Sequence, residues 1–243
     1  MTQDGLFTIL NTVDSTNNYA MQQAQDGLTN HGSAWFANEQ TAGKGQRGKS
    51  WASEKGKNIA MSLVLVPRQM KITSQFHLSA VVALACFEFL SGYIDGETQI
   101  KWPNDLFWRD RKAGGILIEN KFQGKAWKWA VVGIGININQ IAFNKELNNA
   151  ISLQQITGKH FDTIALAKEL HSLLLKKLAE AGTLDEILKQ YNQHLYKKEE
   201  QVTLRKTGVK FDTYIKEVSA QGRLITFDAI EREFDFGEVE WVL

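Results

Sequence analysis

The chain has 243 residues, 43% of them apolar and 23% charged, with 28 basic against 27 acidic side chains and a formal net charge of +1. That is the balance of an ordinary globular protein, and it gives no overall bias towards nucleic acid or an acidic membrane surface; any basic function must be local. The single cysteine, Cys86, excludes an intramolecular disulfide and a multi-cysteine zinc site.

With no signal-peptide pattern, the sequence points to a reducing cytoplasm. The longest apolar run, Ser79 to Phe87, is far short of the ~20 residues that a membrane span needs. The five histidines (His31, His77, His160, His171 and His194) lack metal-ligand spacing.

Leu6 to Val13 reads as a strand that runs into Asp14-Ser15-Thr16-Asn17, a polar run able to cap a helix extending to Gln25. Ala34 to Glu39 is a second strand. A glycine-rich loop from Thr41 to Lys55 follows, then a buried strand over Asn58 to Val66. Ser74 to Leu90 is apolar on nearly every face and is expected to be the central helix.

Gln99 to Trp108, Ala113 to Phe122 and Lys125 to Ile138 read as successive strands. The short polar links Arg109-Asp110-Arg111 and Gln123-Gly124 suit hairpins. Strands joined this way imply a mixed, mainly antiparallel sheet rather than a doubly wound one.

Helical periodicity begins near Leu147. Asp162 is a candidate N-cap, Leu166, Leu170, Leu173, Leu174 and Leu178 lie on one face, and Gly182 is a candidate stop before a second helix over Leu184 to Leu195. Beyond Lys198, Val202 to Arg205, Asp212 to Val218, Leu224 to Phe227 and Glu231 to Phe236 are short strands. The expected organisation is a larger α+β domain over 1–197, its sheet backed by helices, and a small β domain over 198–243.

Three segments carry chemistry. In Gln40-Thr41-Ala42-Gly43-Lys44-Gly45-Gln46-Arg47-Gly48-Lys49-Ser50-Trp51, glycines let several backbone N–H groups converge on an anion, the cations add charge, and Trp51 offers a flat face for a purine. The dinucleotide fingerprint is excluded because no helix pattern follows; a solvated basic hairpin tip is the alternative.

In Lys101-Trp102-Pro103-Asn104-Asp105 with Lys112-Ala113-Gly114-Gly115-Ile116-Leu117, Lys101, Asp105 and Lys112 can surround one anionic group, or form a turn with a surface ion pair. In Gly133-Ile134-Gly135-Ile136-Asn137-Ile138-Asn139, glycines in an apolar strand mark either a close approach to the backbone or a bulged core strand.

Taken in order, these segments and the Ser15-Thr16-Asn17 run resemble the biotin–protein ligase family from Leu6 to Asn139, with Lys-Trp-Pro-Asn-Asp the most specific part. The resemblance implies a mixed sheet backed by helices, with a small Src-homology-like β barrel at the C-terminus. It implies ATP-dependent activation of biotin to biotinyl-5'-AMP, then transfer to a lysine of a biotin carboxyl carrier domain, of acetyl-CoA carboxylase or a related carboxylase. The pattern starts within the first residues, so the expected type is monofunctional, without a DNA-binding domain or nucleic-acid partner. A cytoplasmic monomer or homodimer away from the membrane is expected.

Under the resemblance, Lys112, Arg47 and Asp105 are the catalytic candidates. Ser15, Thr16, Asn17, Gln40, Gly43, Lys44, Lys112 and Gly115 would hold biotin. Lys44, Gly45, Gln46, Arg47, Gly48, Lys49, Trp51, Asn104 and Asn137 would hold the nucleotide, with Trp51 stacked on adenine and Asn137 near the base. ATP with magnesium enters as co-substrate, the metal touching Asp105, and no prosthetic group is implied. A lipoate ligase or octanoyltransferase, a nucleic-acid-binding module and a non-catalytic biotin binder are the rival readings. Substrate choice in pyrophosphate exchange separates the first, salt-sensitive strand binding without turnover the second, and absence of exchange the third.

Lys44 and Gln46 stand where many bacterial members carry arginines. The expected consequence is a loop that holds the adenylate loosely unless Arg47 compensates. Release of the adenylate is then faster from the wild type than from Gln46→Arg; equal release rates would refute this.

Overall fold

In the computed structural model, residues 3–67, 75–144, 147 and 149–242 are described. A short 3-10 turn leads into β1 (Phe7–Val13), α1 (Thr16–Gln25), β2 (Ala34–Gln40) and β3 (Ile59–Leu65). The central helix α2 (Gln75–Ser91) follows; its expected start at Ser74 lies outside the described residues. Next come β4 (Thr98–Lys101), β5 (Asp105–Trp108), β6 (Arg111–Gln123) and β7 (Ala126–Ile136), then α3 (Leu153–Thr157), α4 (Thr163–Ala179) and α5 (Leu184–Gln193). The remaining strands are β8 (Gln201–Lys206), β9 (Val209–Val218), β10 (Leu224–Phe227), β11 (Glu231–Phe234) and β12 (Glu240–Trp241).

The first seven strands form one sheet in the order β1-β2-β3-β7-β6-β5-β4, and the last five another in the order β11-β10-β9-β8-β12. Among the strands of the described residues, only β1 and β2 pair in parallel; the other strand pairings are antiparallel. The expected mixed sheet backed by helices, with a C-terminal antiparallel unit, is therefore present.

Three expectations change. The single strand over Gln99 to Trp108 is a tight hairpin, β4 and β5, turning at 102–104 through a cis Trp102–Pro103 peptide. Regular helix begins at Leu153 rather than near Leu147, because Ser152 and Gln155 form a reciprocal capping box there. Helix α4 starts at Asp162 as expected, its carboxylate accepting from the N–H groups of Ile164 and Ala165, but it ends at Ala179 rather than running to Gly182.

The two faces of the large sheet differ. Ile59, Met61 and Leu63 of β3 stand opposite Ile136, Ile134 and Val132 of β7, and all are buried in one core with α2 and α4. Helix α2 buries residues around its whole circumference, which is why its sequence shows no polar face. On the other face, Val64 and Val131 pack with Trp35 against Ala20 and Ala24 of α1. Helix α1 covers only that end; the next positions along the same face are small.

The C-terminal sheet is fastened to the large one by side chain–backbone bonds. Asn192 of α5 donates to the Val218 carbonyl at 2.9 Å and accepts from the Val218 N–H at 2.8 Å, fully buried. Trp102 donates to the Gly222 carbonyl at 2.9 Å, and Gly222 sits at φ +82° against the Phe76 ring. Replacing Asn192 with alanine orphans a buried N–H and a buried carbonyl together. Urea unfolding is expected to show a loss of about 2–4 kcal/mol, against within ~0.5 kcal/mol for a change at exposed Lys125.

Candidate active site

The bare end of the α1 face is a trough. Across the sheet, one row runs Asp105, Gly115, Gly135, Ala60, and the neighbouring row Leu117, Gly133, Ser62. A Cβ on Gly135 would lie 2.4 Å from the Trp51 ring, and one on Gly133 would lie 2.1 Å from Asn17 Oδ1. Both glycines exist because other groups occupy the space above them, which is the close backbone approach expected for this strand.

The cavity is lined by Ser15, Thr16, Asn17, Gln40, Lys44, Gly45, Gln46, Trp51, Asn104, Lys112 and Gly115 among the sequence-predicted residues, with Ala60, Ile116, Leu117, Gly133, Ile134 and Gly135 completing it. The α1 N-terminus delivers Ser15, Thr16 and Asn17, all buried. Gln40 Oε1 accepts from the Thr16 N–H at 2.7 Å. Lys112 Nζ lies 2.6 Å from Asp105 Oδ1 and 5.9 Å from the centre of the Trp51 ring.

The glycine-rich segment is a small hairpin. Lys44 bridges Ser50, the Gly45 N–H donates to the Lys49 carbonyl at 2.7 Å, and the Trp51 N–H donates to the Gly43 carbonyl at 2.8 Å. From Gly43 to Ser50 the residues carry the Gly-x4-Gly-Lys-Ser spacing of a nucleotide phosphate loop. The helix that such a loop must open is absent: the chain continues as coil to β3. Gly43 must be glycine because a Cβ would meet the Trp51 carbonyl at 2.4 Å. Gln46 donates to the Ile116 carbonyl at 3.3 Å, as does Asn104 at 2.8 Å, so the hairpin tip and the β4–β5 turn share one anchor. Gln46 Oε1 and Trp51 Nε1 are buried without partners among the described residues.

Five predicted residues are not among those lining the cavity, besides Asp105, which reaches it through Lys112. Gly43 shapes the hairpin from behind. Gly48, at φ +75°, turns it, and Lys49 is exposed. Arg47, itself at φ 55°, lays its guanidinium against Gly237 of the C-terminal sheet, where a Cβ would come within 2.9 Å of Cζ. Asn137 is buried, and its amide donates to the carbonyls of Lys112 at 3.3 Å and Ile151 at 3.2 Å. It braces the strand that carries Lys112 rather than facing the cavity, because β7 has already ended at Ile136 and the chain turns inward.

Sequence reasoning missed Ser62 and Glu119. Asn17 Nδ2 donates to Glu119 Oε2 at 2.8 Å, and Lys44 Nζ lies 3.9 Å from Glu119 Oε1. Nothing along the sequence marks a contact between residues 102 positions apart.

Residues 9–137 match the model of the biotin/lipoate A/B protein ligase family. The chain belongs to that family. Among curated relatives, it is 33% identical over 186 residues to the bifunctional ligase/repressor BirA of Escherichia coli, a match covering 75% of this chain and 55% of that protein. To the biotin–[acetyl-CoA-carboxylase] ligase of Paracoccus denitrificans it is 41% identical over 134 residues, covering 54% and 53%. The chain thus spans about half the length of the curated relatives it matches. Among solved structures, it resembles the biotin protein ligase from Aquifex aeolicus in complex with biotin and ATP, with TM-score 0.80 and 26% identity over 96% of this chain and 97% of the other.

In this family member the charged end of the trough continues into Lys101. Its ammonium is buried between the rings of Phe107, at 5.1 Å, and Trp241 of β12, at 4.9 Å. Burial pushes its pKa down to about 8; the Asp105 carboxylate opposes that shift, and the Lys112 and Lys49 cations add to it. The folded state therefore binds this proton less tightly than the unfolded chain does, so stability is lower below pH 8 and recovers as pH rises towards 10.5. Lys101→Met is expected to stabilise the protein at pH 7 by on the order of 3 kcal/mol. The gain shrinks towards zero near pH 10.5, as chemical unfolding across that range would record; a gain constant with pH would refute the assignment.

Proposed function

We propose that the chain is a biotin–protein ligase, the activity named for the relatives and for the Aquifex aeolicus structure. The observation that carries the reading is one trough with two chemically distinct ends. At one end buried Thr16 and Asn17, with half-buried Gln40, form a hydrogen-bonding cradle suited to a cyclic urea; at the other, Lys112 and Asp105 meet the cationic glycine hairpin. A buried urea needs both donors and acceptors, since an unpaired group costs ~1–3 kcal/mol.

In the first step a biotin carboxylate oxygen attacks the α-phosphorus of ATP and pyrophosphate leaves, giving biotinyl-5'-AMP. Two anions must be aligned, so the chain needs cations and backbone donors rather than a nucleophile. Lys112 is the compact cation placed to neutralise both reacting groups. Lys44 and Lys49 supply the hairpin's charge, Gly45 and Gly48 its turn, and Arg47, held on Gly237, offers its charge from the C-terminal side. Trp51 presents a ring for the adenine, and Gln46 Oε1 and Trp51 Nε1 are buried atoms that a ligand can satisfy.

No group of three or more His, Cys, Asp or Glu side chains among the described residues can hold a metal ion. Asp105 Oδ1 is buried and, besides the Lys112 ammonium, has no hydrogen-bond partner among the described residues. A lone carboxylate suits magnesium that arrives with the triphosphate, since that ion usually takes one or two carboxylates and phosphate oxygens, and here Asp105 would have to share it with the Lys112 ammonium. In the second step the amine of an acceptor lysine attacks the acyl carbon and AMP leaves. The acceptor is a biotin carboxyl carrier domain of acetyl-CoA carboxylase or a related carboxylase.

Within this reading, 1–197 is the ligase unit and 198–243 an accessory unit that frames the charged end. The enzyme works in the cytoplasm as a monomer or homodimer, and no helix among the described residues is long and apolar enough to cross a membrane.

Biotin-dependent exchange of labelled pyrophosphate into ATP tests the reading. Exchange is expected with biotin, not with lipoate or octanoate, and should fall about 100-fold or more in Lys112→Ala. No exchange with any of the three acids would overturn the assignment.

A further inference from the structure

The ring cradle rests on a chain of polar contacts that begins outside the cavity. Glu119, on β6, accepts from Asn17 Nδ2 at 2.8 Å. Ser62, on β3 and wholly buried, has its Oγ 2.5 Å from Asn17 Oδ1 and 2.7 Å from Thr16 Oγ1. Thr16 Oγ1 in turn lies 3.1 Å from Gln40 Oε1, which already accepts from the Thr16 N–H.

Counting protons narrows the directions, because three oxygen–oxygen contacts (Ser62 with Asn17, Ser62 with Thr16, and Thr16 with Gln40) share two hydroxyl protons. A carboxylate such as that of Glu119 only accepts, as does the Leu117 carbonyl 3.4 Å from the same nitrogen, so the Asn17 amide turns Nδ2 towards them and Oδ1 towards Ser62. An amide oxygen cannot donate, so the one proton of Ser62 goes to Asn17. Ser62 is then the acceptor towards Thr16, and the one proton of Thr16 goes to the nearer acceptor, Ser62 Oγ at 2.7 Å, rather than to Gln40 Oε1 at 3.1 Å. Thr16 is left with lone pairs facing the cavity. Gln40, its Oε1 held by the Thr16 N–H, keeps Nε2 as donor beside Gly43.

We infer that Glu119 is a positioning residue that sets, through Asn17 and Ser62, the donor and acceptor polarity of the ring pocket, and so selects a ligand ring with N–H groups to give and a carbonyl to offer. Glu119 is not among the residues that line the cavity. A glutamine at 119 can donate as well as accept, which removes the shorter of the two contacts that hold Asn17 Nδ2, leaves only the Leu117 carbonyl at 3.4 Å against a turned amide, and so weakens the polarity of the run as far as Thr16. The inference rests on the proposed biotin ligase reading and deepens it.

Glu119 also stands 3.9 Å from Lys44, so its variant alone does not isolate the relay. Ser62→Ala does, because it leaves the Glu119 contacts with Asn17 and Lys44 in place. Biotin binding by calorimetry, with biotin and ATP steady-state kinetics, should be measured on the full chain for wild type, Glu119→Gln, Ser62→Ala and the double variant.

The relay predicts about a 10-fold or greater loss of biotin affinity in each single variant and a double variant no worse than about twofold beyond the weaker single. The KM for biotin should rise while the KM for ATP and kcat at saturating biotin stay within about twofold of wild type. A merely structural role would lower the melting temperature and move all three together. Wild-type biotin affinity in Ser62→Ala overturns the relay even where Glu119→Gln fails to fold, and so does a double variant that loses the product of the two singles. Failure of the wild type itself to bind biotin would overturn the proposed function and the relay with it.

Discussion

Everything at the site depends on two missing side chains. Gly133 and Gly135 stand two positions apart on β7 and therefore on one face of the sheet. A Cβ on either would overlap Asn17 or the Trp51 ring. Because those positions are bare, the α1 N-terminus and the glycine hairpin can both descend onto the backbone of a central strand and enclose a trough between them. On the opposite face the same strand carries Val132, Ile134 and Ile136 into the core, which fixes the register; a slip by one residue would turn the core outward and fill the trough. Site and core are two sides of one strand.

The charged end is closed by a different element. Arg47 rests on Gly237, Lys101 is capped by Trp241, and Trp102 is bonded to Gly222 while its ring meets Phe236 edge-on at 6.4 Å. Each contact joins a residue of the hairpin or of the Lys-Trp-Pro-Asn-Asp turn to the C-terminal sheet. That small sheet has a modest core of its own and derives part of its order from these bonds and from the Asn192 clasp. Burying Lys101 lowers stability at neutral pH.

Much of this was legible in the sequence because it obeys local rules. The helix start after Asp14, the strand–hairpin–strand alternation and the Asp162 cap each rest on a few consecutive residues, although Ser15 at the α1 N-cap makes no side-chain capping bond, and the cavity collects most of the residues flagged from three motifs. What was not legible is three-dimensional. The β4–β5 turn lacks a glycine, so Gln99 to Trp108 read as one strand. Asn137 looked like a ligand contact because it follows a glycine-rich strand, yet its amide is taken up by two carbonyls once the chain turns inward. Glu119 reads as one more polar position in an alternating strand, and its contact with Asn17 spans 102 residues. Ser62 reads as a small residue in a buried strand; its importance lies in having one proton and two neighbours.

The two rows of the trough also explain how a nearly neutral chain can handle highly charged reactants. The recognition row, Ser62 and Gly133, and the charge row, Asp105 and Gly115 with Lys112 beside them, are adjacent on one face, separated by two residues or ~7 Å along a strand. Recognition of a neutral ring therefore rests on a buried network whose polarity is fixed by hydrogen bonds, largely independent of salt. The cations are gathered one row away, where the anions must meet. Concentrating charge at one end and compensating it with Asp105 and Glu119 keeps the net balance near zero while leaving a strong local field. The division also separates the two functions genetically: changes in the recognition row should alter which acid is chosen, and changes in the charge row how fast it is activated.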